Sequence, residues 1–313
     1  CWGQNIFYAP FGLTNWSDVC SDLRLTKDKE VVFDCVSDGY REAITYYHDW
    51  YADGLIDIEV FSQDDKQYLA KCAQGYVGVA TWWEINELMA DHAADYVYLP
   101  PLKGPDGTCT VTIKSAGSAV NSGMLSITKA CESPANLLKF YDQWYTGENV
   151  MQLQYGPIGV YFDEEKDAQG MYVSITDEEA REKFGKSAGE LKAASEVQGP
   201  KLILSEYYTS VFHMEPRALQ RLDDLQNFWF KYVDDFTFYP VDCVFTQSEL
   251  DDLDLYKPDF ENHVKEQEAL WFRDGGPSDA EWEVYKQDLI DTYGMNQILE
   301  VYKNAYDRYA AAE

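Results

Sequence analysis

The residues that most often carry catalysis are sparse in this sequence. Histidine occurs only four times and always in isolation, at His48, His92, His213 and His263. A catalytic zinc site usually shows an HExxH or paired-cysteine spacing, which the sequence lacks. The GxSxG elbow of hydrolases, the Walker loop of NTPases and the GxGxxG turn of dinucleotide-binding proteins are also missing. We therefore expect structural histidines and predict no metal site and no cofactor.

Carboxylates are abundant instead, with 55 aspartate and glutamate residues among 313. A glycoside hydrolase needs only two acids held at the right separation, so a glycan-active enzyme stays an alternative. The acidic stretches DEEKDAQG and DDLDLYKPDFE lack the glycine at position six and the acid at position twelve of an EF-hand loop. They are therefore interpreted as solvated surface.

Aromatic residues are the most informative group, because tyrosine, tryptophan and phenylalanine make up 15% of the chain. A flat ring beside hydrogen-bonding groups suits a ligand that has an apolar face and many hydroxyls, such as a sugar. Most of the rings recur at helical spacing and are expected to fill the core. Trp82 and Trp83 differ, because they follow a predicted strand end, where ligands collect in open α/β sheets. One indole can anchor in the core while the other faces a crevice.

The elements that would position these residues alternate in the first half of the chain. Strands are predicted at EVVFDC, YVGVAT, DYVYLPPL, CTVTIK and GMLSITK. Helices are predicted at SDGYREAITYYHDWYADGL, DDKQYLAKCAQ, residues 84–90 and SPANLLKFYDQWYTGE. In the last of these helices Ser133 is the expected N-cap and Pro134 occupies the first helical position. Such alternation indicates an α/β layer architecture.

The second half of the chain is mostly helical after a loop-rich section at residues 155–215. Capping boxes that begin at Thr176 and Ser278 mark two helix starts. The last helix carries an apolar stripe on one face, formed by Ile298, Tyr302, Ala305 and Tyr309. We therefore predict that this helix docks through that stripe.

The chain is strongly acidic, since 25 lysine and arginine residues against 55 acids give a net charge of −30. Such a field repels nucleic-acid phosphates and anionic lipid surfaces, so neither is an expected partner. A hydrophobic content of 46% is enough for one large domain or two lobes. The seven cysteines are scattered and are expected to be mainly buried thiols, although Cys1 leaves open a processed lipoprotein terminus.

Three stretches of the chain together resemble a known family. The run from QGYVGVATWWEINELM through YVYLPPLKGPDG to NLLKFYDQWYTGENVMQLQYG, residues 74–156, resembles the extracellular solute-binding proteins of bacterial carbohydrate ABC importers. The segment DGYREAITYYHDWYADGLIDIEVFSQD is similar to another part of that family. The C-terminal FTQSELDDLDLYKPDFENHVKEQEALWF and the ending AYDRY are similar to its larger, lipoprotein-type members.

The resemblance implies a type II periplasmic-binding-protein-like α/β fold, with two lobes that close on a ligand and a helical C-terminal region. It assigns residues 1–108 and about 240–313 mainly to the second lobe, and about 109–239 to part of the first. The opening βα units of the first lobe are expected to be absent. The chain is therefore interpreted as a fragment of a longer protein.

The resemblance also implies which residues contact the ligand. The cleft tryptophan of the family corresponds to Trp82 or Trp83. Glu84 follows directly and is a candidate acceptor for sugar hydroxyls, with an exposed first-turn acid as the alternative. In QYGPIGVYFDEE, the candidates are Tyr155 and Tyr161. Pro157 and Ile158 replace the usual acid of that motif, and further candidates are Trp16 and Tyr239.

The function implied by the resemblance is transport without catalysis. The protein would bind a sugar or oligosaccharide outside the membrane, as a monomer tethered through a lipid, and deliver it to ABC permease subunits. Aromatic stacking and hydrogen bonds would hold the ligand, so no enzymatic activity is expected. Alternatives are a binding protein for a peptide or another non-sugar solute and a secreted glycan-active hydrolase, because one fold serves many functions.

Overall fold

The chain divides into two compact units, each described here by itself. The computed structural model describes residues 8–13, 23–82, 84–107, 109, 124–197, 199–232, 239–240 and 243–311. Unit 1 consists of Cys1–Val120 and Asp224–Glu313, and unit 2 consists of Asn121–Asp223. The assignment of residues 1–108, 109–239 and 240–313 to lobes of a closing fold stays a prediction.

The described secondary structure is dominated by helices. Strands β1 (Leu23–Leu25) and β2 (Val31–Phe33) form an antiparallel hairpin in which Leu23 pairs with Phe33. The α-helices are, in chain order, α1 (Asp38–Ala52), α2 (Asp65–Cys72), α3 (Ile85–Met89), α4 (Pro134–Asp142), α5 (Gly147–Tyr155), α6 (Asp177–Phe184), α7 (Ala188–Ser195), α8 (Tyr207–Ser210), α9 (Pro216–Phe228), α10 (Gln247–Asp274), α11 (Asp279–Asp291) and α12 (Met295–Ala310).

The core of unit 1 forms where α10 packs against α1 and α12, and where α12 packs against strand β2 of the hairpin. Helix α1 contributes residues at helical spacing, with Ala43 and Ile44 completely buried. The predicted stripe of α12 is confirmed, because Ile298, Tyr302 and Ala305 are at most 1% exposed. A helix with one apolar face gains stability mainly by burying that face, which explains why this pattern was reliable.

Capping residues set several helix starts. Thr176 and Ser278 each accept a hydrogen bond from the backbone N–H three residues later, in reciprocal boxes with Glu179 and Glu281, as predicted. Ser133 is the N-cap residue of α4 and Pro134 is its first residue, as predicted, but the Ser133 side chain makes no capping hydrogen bond. Its backbone, at φ −137° and ψ 62°, lies outside the extended region that the other two caps occupy.

The core of unit 2 is smaller and built around aromatic rings. It contains Met151 from α5, Leu191 from α7 and a group of rings from the connecting segments, namely Tyr161, Phe162, Tyr172 and Phe212. Isolated β-bridges join Phe162 to Ser174 and Tyr172 to Phe212, and tie these segments together. Helix α4 buries none of its residues, and Leu138 and Phe140 are more than half exposed.

Several predicted strands are corrected by the structure. Strand β2 lies inside EVVFDC as predicted, but YVGVAT and DYVYLPPL contain no strand and run as irregular chain. Residues 124–128 of GMLSITK are also irregular, whereas CTVTIK lies outside the described residues apart from Cys109. A strand needs a neighbour for its backbone N–H and C=O groups, and within the described residues these segments have no ladder partner.

Three of the four histidines make the following contacts with other residues of the fold. His48 contacts the carbonyl oxygen of Phe272 at 2.8 Å, and His213 contacts Asp167 at 2.7 Å. The His263 ring stacks on Tyr293 with centroids 4.0 Å apart, and burial lowers its pKa. Among the described residues, no group of three or more His, Cys, Asp or Glu side chains could hold a metal ion.

Cysteine burial agrees with the prediction for Cys35, Cys72 and Cys243, which are at most 6% exposed, whereas Cys109 and Cys131 are only partly buried. No described helix combines the length and the apolar character required of a membrane span.

Candidate functional site

Trp82 occupies a half-buried position in unit 1, immediately before α3. It packs on a small apolar cluster that contains Cys72, Leu88 and Met89. Its indole lies 6.0 Å from the Tyr68 ring, measured between centroids. The Tyr68 hydroxyl donates to the carbonyl oxygen of Thr81 at 3.0 Å and accepts from the Thr81 N–H at 2.9 Å. The residue before Trp82 is thereby held in place, so one side of the indole is anchored by α2 and α3.

Glu84 begins helix α3 and is almost fully buried, at 3% exposure. One carboxylate oxygen accepts from the Asn86 backbone N–H at 3.2 Å and from the Asn86 side-chain amide at 2.7 Å. The other accepts from the Glu87 N–H at 3.0 Å. Glu84 is therefore the N-cap of α3, and the exposed first-turn acid that the sequence suggested as an alternative is wrong.

Tyr155 and Tyr161 come together in unit 2, as two stacked rings with centroids 6.1 Å apart. The turn between them depends on Gly156, which has φ 136°. A Cβ atom placed on Gly156 would lie 2.8 Å from the Tyr161 Cβ, closer than side chains tolerate. The chain reversal after α5 therefore requires glycine at this position.

The hydroxyls of these two tyrosines have partners from distant parts of the chain. The Tyr155 hydroxyl pairs with the Tyr208 hydroxyl at 3.0 Å, and the Tyr161 hydroxyl donates to the Glu215 carboxylate. Burial, together with the Tyr208 hydrogen bond, raises the pKa of Tyr155 far above its usual range. The Lys192 ammonium lies 4.8 Å from the centre of the Tyr155 ring.

We refer to Tyr155, Tyr161, Tyr208 and Glu215 as the tyrosine cluster. Tyr161 is 1% exposed and acts as a core residue, whereas Tyr155 and Tyr208 are partly exposed. Sequence reasoning missed Tyr208 and Glu215. Their local signal is the pair of tyrosines in SEYYTSVFHMEPR, followed by an acid directly before the proline that begins α9.

Tyr239 lies in the core of unit 1, away from Trp82 and its cluster. Its hydroxyl donates to the carbonyl oxygen of Tyr302 at 2.8 Å, and the two rings meet edge to face. Burial raises the pKa of Tyr239. Trp16 and Trp83, the remaining candidates, lie outside the described residues.

These arrangements suit binding better than bond cleavage. Trp82 and Tyr155 each present an aromatic ring that is held from one side and only partly covered. Beside Tyr155 lie a second hydroxyl and a carboxylate, groups that recognise hydroxyl-rich ligands. The hydrogen bond between Tyr161 and Glu215 fixes both side chains within the fold.

Comparison with known proteins identifies relatives. No family model matches the chain. The fructooligosaccharide ABC transporter substrate-binding protein FusA of Streptococcus pneumoniae is 28% identical over 304 residues, a match that covers 97% of this chain. The chain spans only 55% of the length of FusA.

Solved structures of solute-binding proteins also match this chain. FusA in complex with kestose superimposes with a TM-score of 0.81 and 26% identity, covering 99% of this chain and 61% of FusA. An HMO-binding solute-binding protein from Bifidobacterium longum infantis superimposes with a TM-score of 0.76 at 17% identity, covering 97% of this chain and 61% of that protein. These matches confirm the predicted resemblance to ABC-importer solute-binding proteins and the predicted type II periplasmic-binding-protein-like fold class.

Proposed function

We propose that this chain serves as the oligosaccharide-binding component of an ABC importer, or as a large part of it. The observation that carries the proposal is the match to FusA, which extends over nearly the whole chain in both sequence and backbone. FusA is described as a fructooligosaccharide-binding protein, so short fructans are the first ligands to test. Under this proposal the protein acts outside the membrane and passes its ligand to permease subunits.

The chemistry of the candidate residues supports reversible capture. A sugar ring offers an apolar face to an aromatic side chain and hydroxyls to carboxylates and phenols. Trp82 and Tyr155 supply partly covered rings, and Tyr208 and Glu215 supply polar atoms beside the second ring. We infer that the ligand leaves unchanged, as a transport protein requires, and that the protein is not an enzyme. A monomer and a lipid tether, both expected from the resemblance, belong to the same proposal.

The proposal is tested by isothermal titration calorimetry of the purified chain with kestose and nystose, with maltotriose as the comparison sugar. We expect saturable heat with the fructans. A folded sample, checked by circular dichroism, that gives no saturable heat with any of the sugars would contradict oligosaccharide binding by this chain. Fructose released during prolonged incubation would contradict the non-enzymatic role.

Single substitutions then test which candidate residues contact the sugar. Trp82 belongs to unit 1 and Tyr155 to unit 2. We expect Trp82→Ala to weaken binding about tenfold or more, because burial of a large apolar side chain contributes about 1.5–3 kcal/mol and about 1.4 kcal/mol corresponds to a factor of ten. Tyr155→Phe keeps the ring and removes the hydroxyl, so a smaller loss is expected. Tyr46→Ala is the control, since Tyr46 is a partly exposed ring on α1, 40% exposed, and is not a candidate contact. Equal loss in all three variants would contradict the assigned contacts.

A further inference from the structure

A groove on unit 1 has none of the candidate ligand residues in its lining. It has a volume of about 480 Å³ and runs between the C-terminal part of α10 and the loop that follows α1. We call it the α1–α10 groove. The residues that define it are Tyr51, Ile58, Phe61, Glu266, Leu270 and Arg273.

The walls of this groove are held by internal contacts. The Tyr51 hydroxyl donates to the carbonyl oxygen of Ile58 at 3.1 Å, which fixes the loop to the end of α1. The Phe61 ring meets the Phe272 ring edge to face, with centroids 5.5 Å apart, and lies 6.3 Å from Tyr51. The groove is therefore a formed feature of the fold, and a partner would not have to organise it.

Several apolar side chains are exposed close together in the groove and in the loop beside it. Ile58 is 78% exposed, and Leu270 on the opposite wall is 39% exposed. Leu55, three residues before Ile58, is 71% exposed. Single exposed leucines are ordinary, but apolar side chains gathered on both walls of one groove are typical of an interaction surface.

The charged groups around the groove include more acids than bases. The loop at residues 53–64, which ends where α2 begins, carries four carboxylates and no lysine or arginine. Lys71 from α2 pairs with two of them, Asp57 at 2.7 Å and Glu59 at 2.5 Å. Within the groove, Arg273 is paired with its neighbour Asp274, with Nε 2.6 Å from the carboxylate, and Glu266 adds a further acid. A partner that fits would bring apolar side chains flanked by positive charge.

From this combination we propose that the α1–α10 groove docks a protruding segment of the permease, one that carries leucine-like side chains next to lysine or arginine. The naming of the permease rests on the proposed function, whereas the chemistry of the segment rests on the groove alone. The net charge of −30 disfavours nucleic acid and anionic lipid as occupants. A basic, amphipathic protein segment satisfies both the apolar walls and the acidic rim.

The test uses a fluorescently labelled peptide of alternating lysine and leucine, titrated with the full chain and followed by anisotropy. We expect the double variant Ile58→Ser/Leu270→Ser to bind about tenfold more weakly or worse, because both apolar walls are removed. Glu266→Lys is expected to weaken binding by charge reversal, without removing a buried side chain. Val284→Ser on α11 is the matched control, since Val284 is 61% exposed and lies outside the groove.

The outcomes separate the groove from general attraction to an acidic surface. Equal binding by the wild type, the double variant and the Val284→Ser control would overturn the proposal, as would the absence of binding to the wild type. A peptide with glutamate in place of lysine should not bind. The same variants are titrated with kestose. Retained sugar binding with lost peptide binding in the groove variants supports docking by the groove. Peptide binding by a wild type that binds no sugar would refute the proposed function, and with it the permease as the occupant, but not the docking of a basic, apolar segment.

Discussion

Glu268 offers a sharp test of the packing between α1 and α10. Its carboxylate accepts a hydrogen bond from the Tyr40 hydroxyl at 2.8 Å, and Tyr40 is 1% exposed. The Tyr40 ring stacks on Tyr8 at 5.3 Å, so the carboxyl lies against two aromatic rings. Burial raises the pKa of Glu268 above its usual value of 4.5, and hydrogen bonds from Tyr40 and Tyr8 and the charge of Lys265 only partly oppose this.

The sign of the pH effect follows from proton binding. Between pH 4.5 and the raised pKa of Glu268, the folded protein holds a proton that the unfolded chain has lost. Stability therefore falls as pH rises through this window and levels off above the folded pKa. One proton changes the free energy of unfolding by at most about 1.4 kcal/mol per pH unit. Glu268→Gln removes the titration, so the variant should be more stable than the wild type above the window.

Urea unfolding of both proteins from pH 4 to pH 8 measures this difference. The amide of Gln can still accept from the Tyr40 hydroxyl, so the packing is largely kept. Glu300→Gln, an exposed position on α12, is the control and should follow the wild type at every pH. If Glu268→Gln parallels the wild type across the range, or is less stable at pH 8, the carboxyl is not a buried, protonatable group and the reasoning fails.

Three further predictions concern the stability of the helices, measured by urea or thermal unfolding. Ile298→Ala empties a site that is 1% exposed and should cost about 2–5 kcal/mol, and a loss below 1 kcal/mol would mean that α12 is not docked through its stripe. Ser278→Ala removes a capping hydrogen bond and should cost about 1 kcal/mol of stability. Ser133→Ala is the control and should change stability much less, because the Ser133 side chain makes no capping hydrogen bond. Equal effects of the two substitutions would contradict this difference between the caps. Arg308→Gln removes the guanidinium that lowers the pKa of Glu249, so the melting temperature should fall slightly. This difference from the wild type should shrink in high salt, because salt screens the ion pair. A difference that does not depend on salt would argue against an ionic contribution.

Much of the helical structure could be predicted because its signals are local. The Ser278 cap, its Glu281 partner and the Gly294 that precedes α12 all lie within a few residues of the helix ends that they determine. The stripe of α12 was also predictable, because a helical period makes residues on one face recur at fixed spacing. Ser133 occupies the N-cap position that its residue type predicts, but its backbone conformation, which the sequence did not reveal, leaves the side chain without a capping hydrogen bond.

The candidate site was only partly predictable, because its partners are distant in the chain. Tyr155 and Tyr161 could be proposed from one motif, but Tyr208 and Glu215 lie more than 50 residues further on. No local sequence pattern predicts that two tyrosines more than 50 residues apart in the chain will contact each other. The role of Glu84 as a buried N-cap was likewise hidden, because an acid before a helix is compatible with both exposure and burial.

The predicted strands at residues 76–81 and 95–102 fail for a related physical reason. Both segments have the apolar, β-branched and aromatic composition of strands, and their exposed side chains include Tyr76 at 86% and Val97 at 81%. Composition favours an extended chain, but a strand exists only when a neighbour satisfies its backbone groups. The Tyr96 hydroxyl does contact the Val77 carbonyl oxygen, so the two segments touch through a side chain without forming a ladder. The composition of these segments therefore permits a strand, but within the described residues neither segment has a strand beside it to pair with.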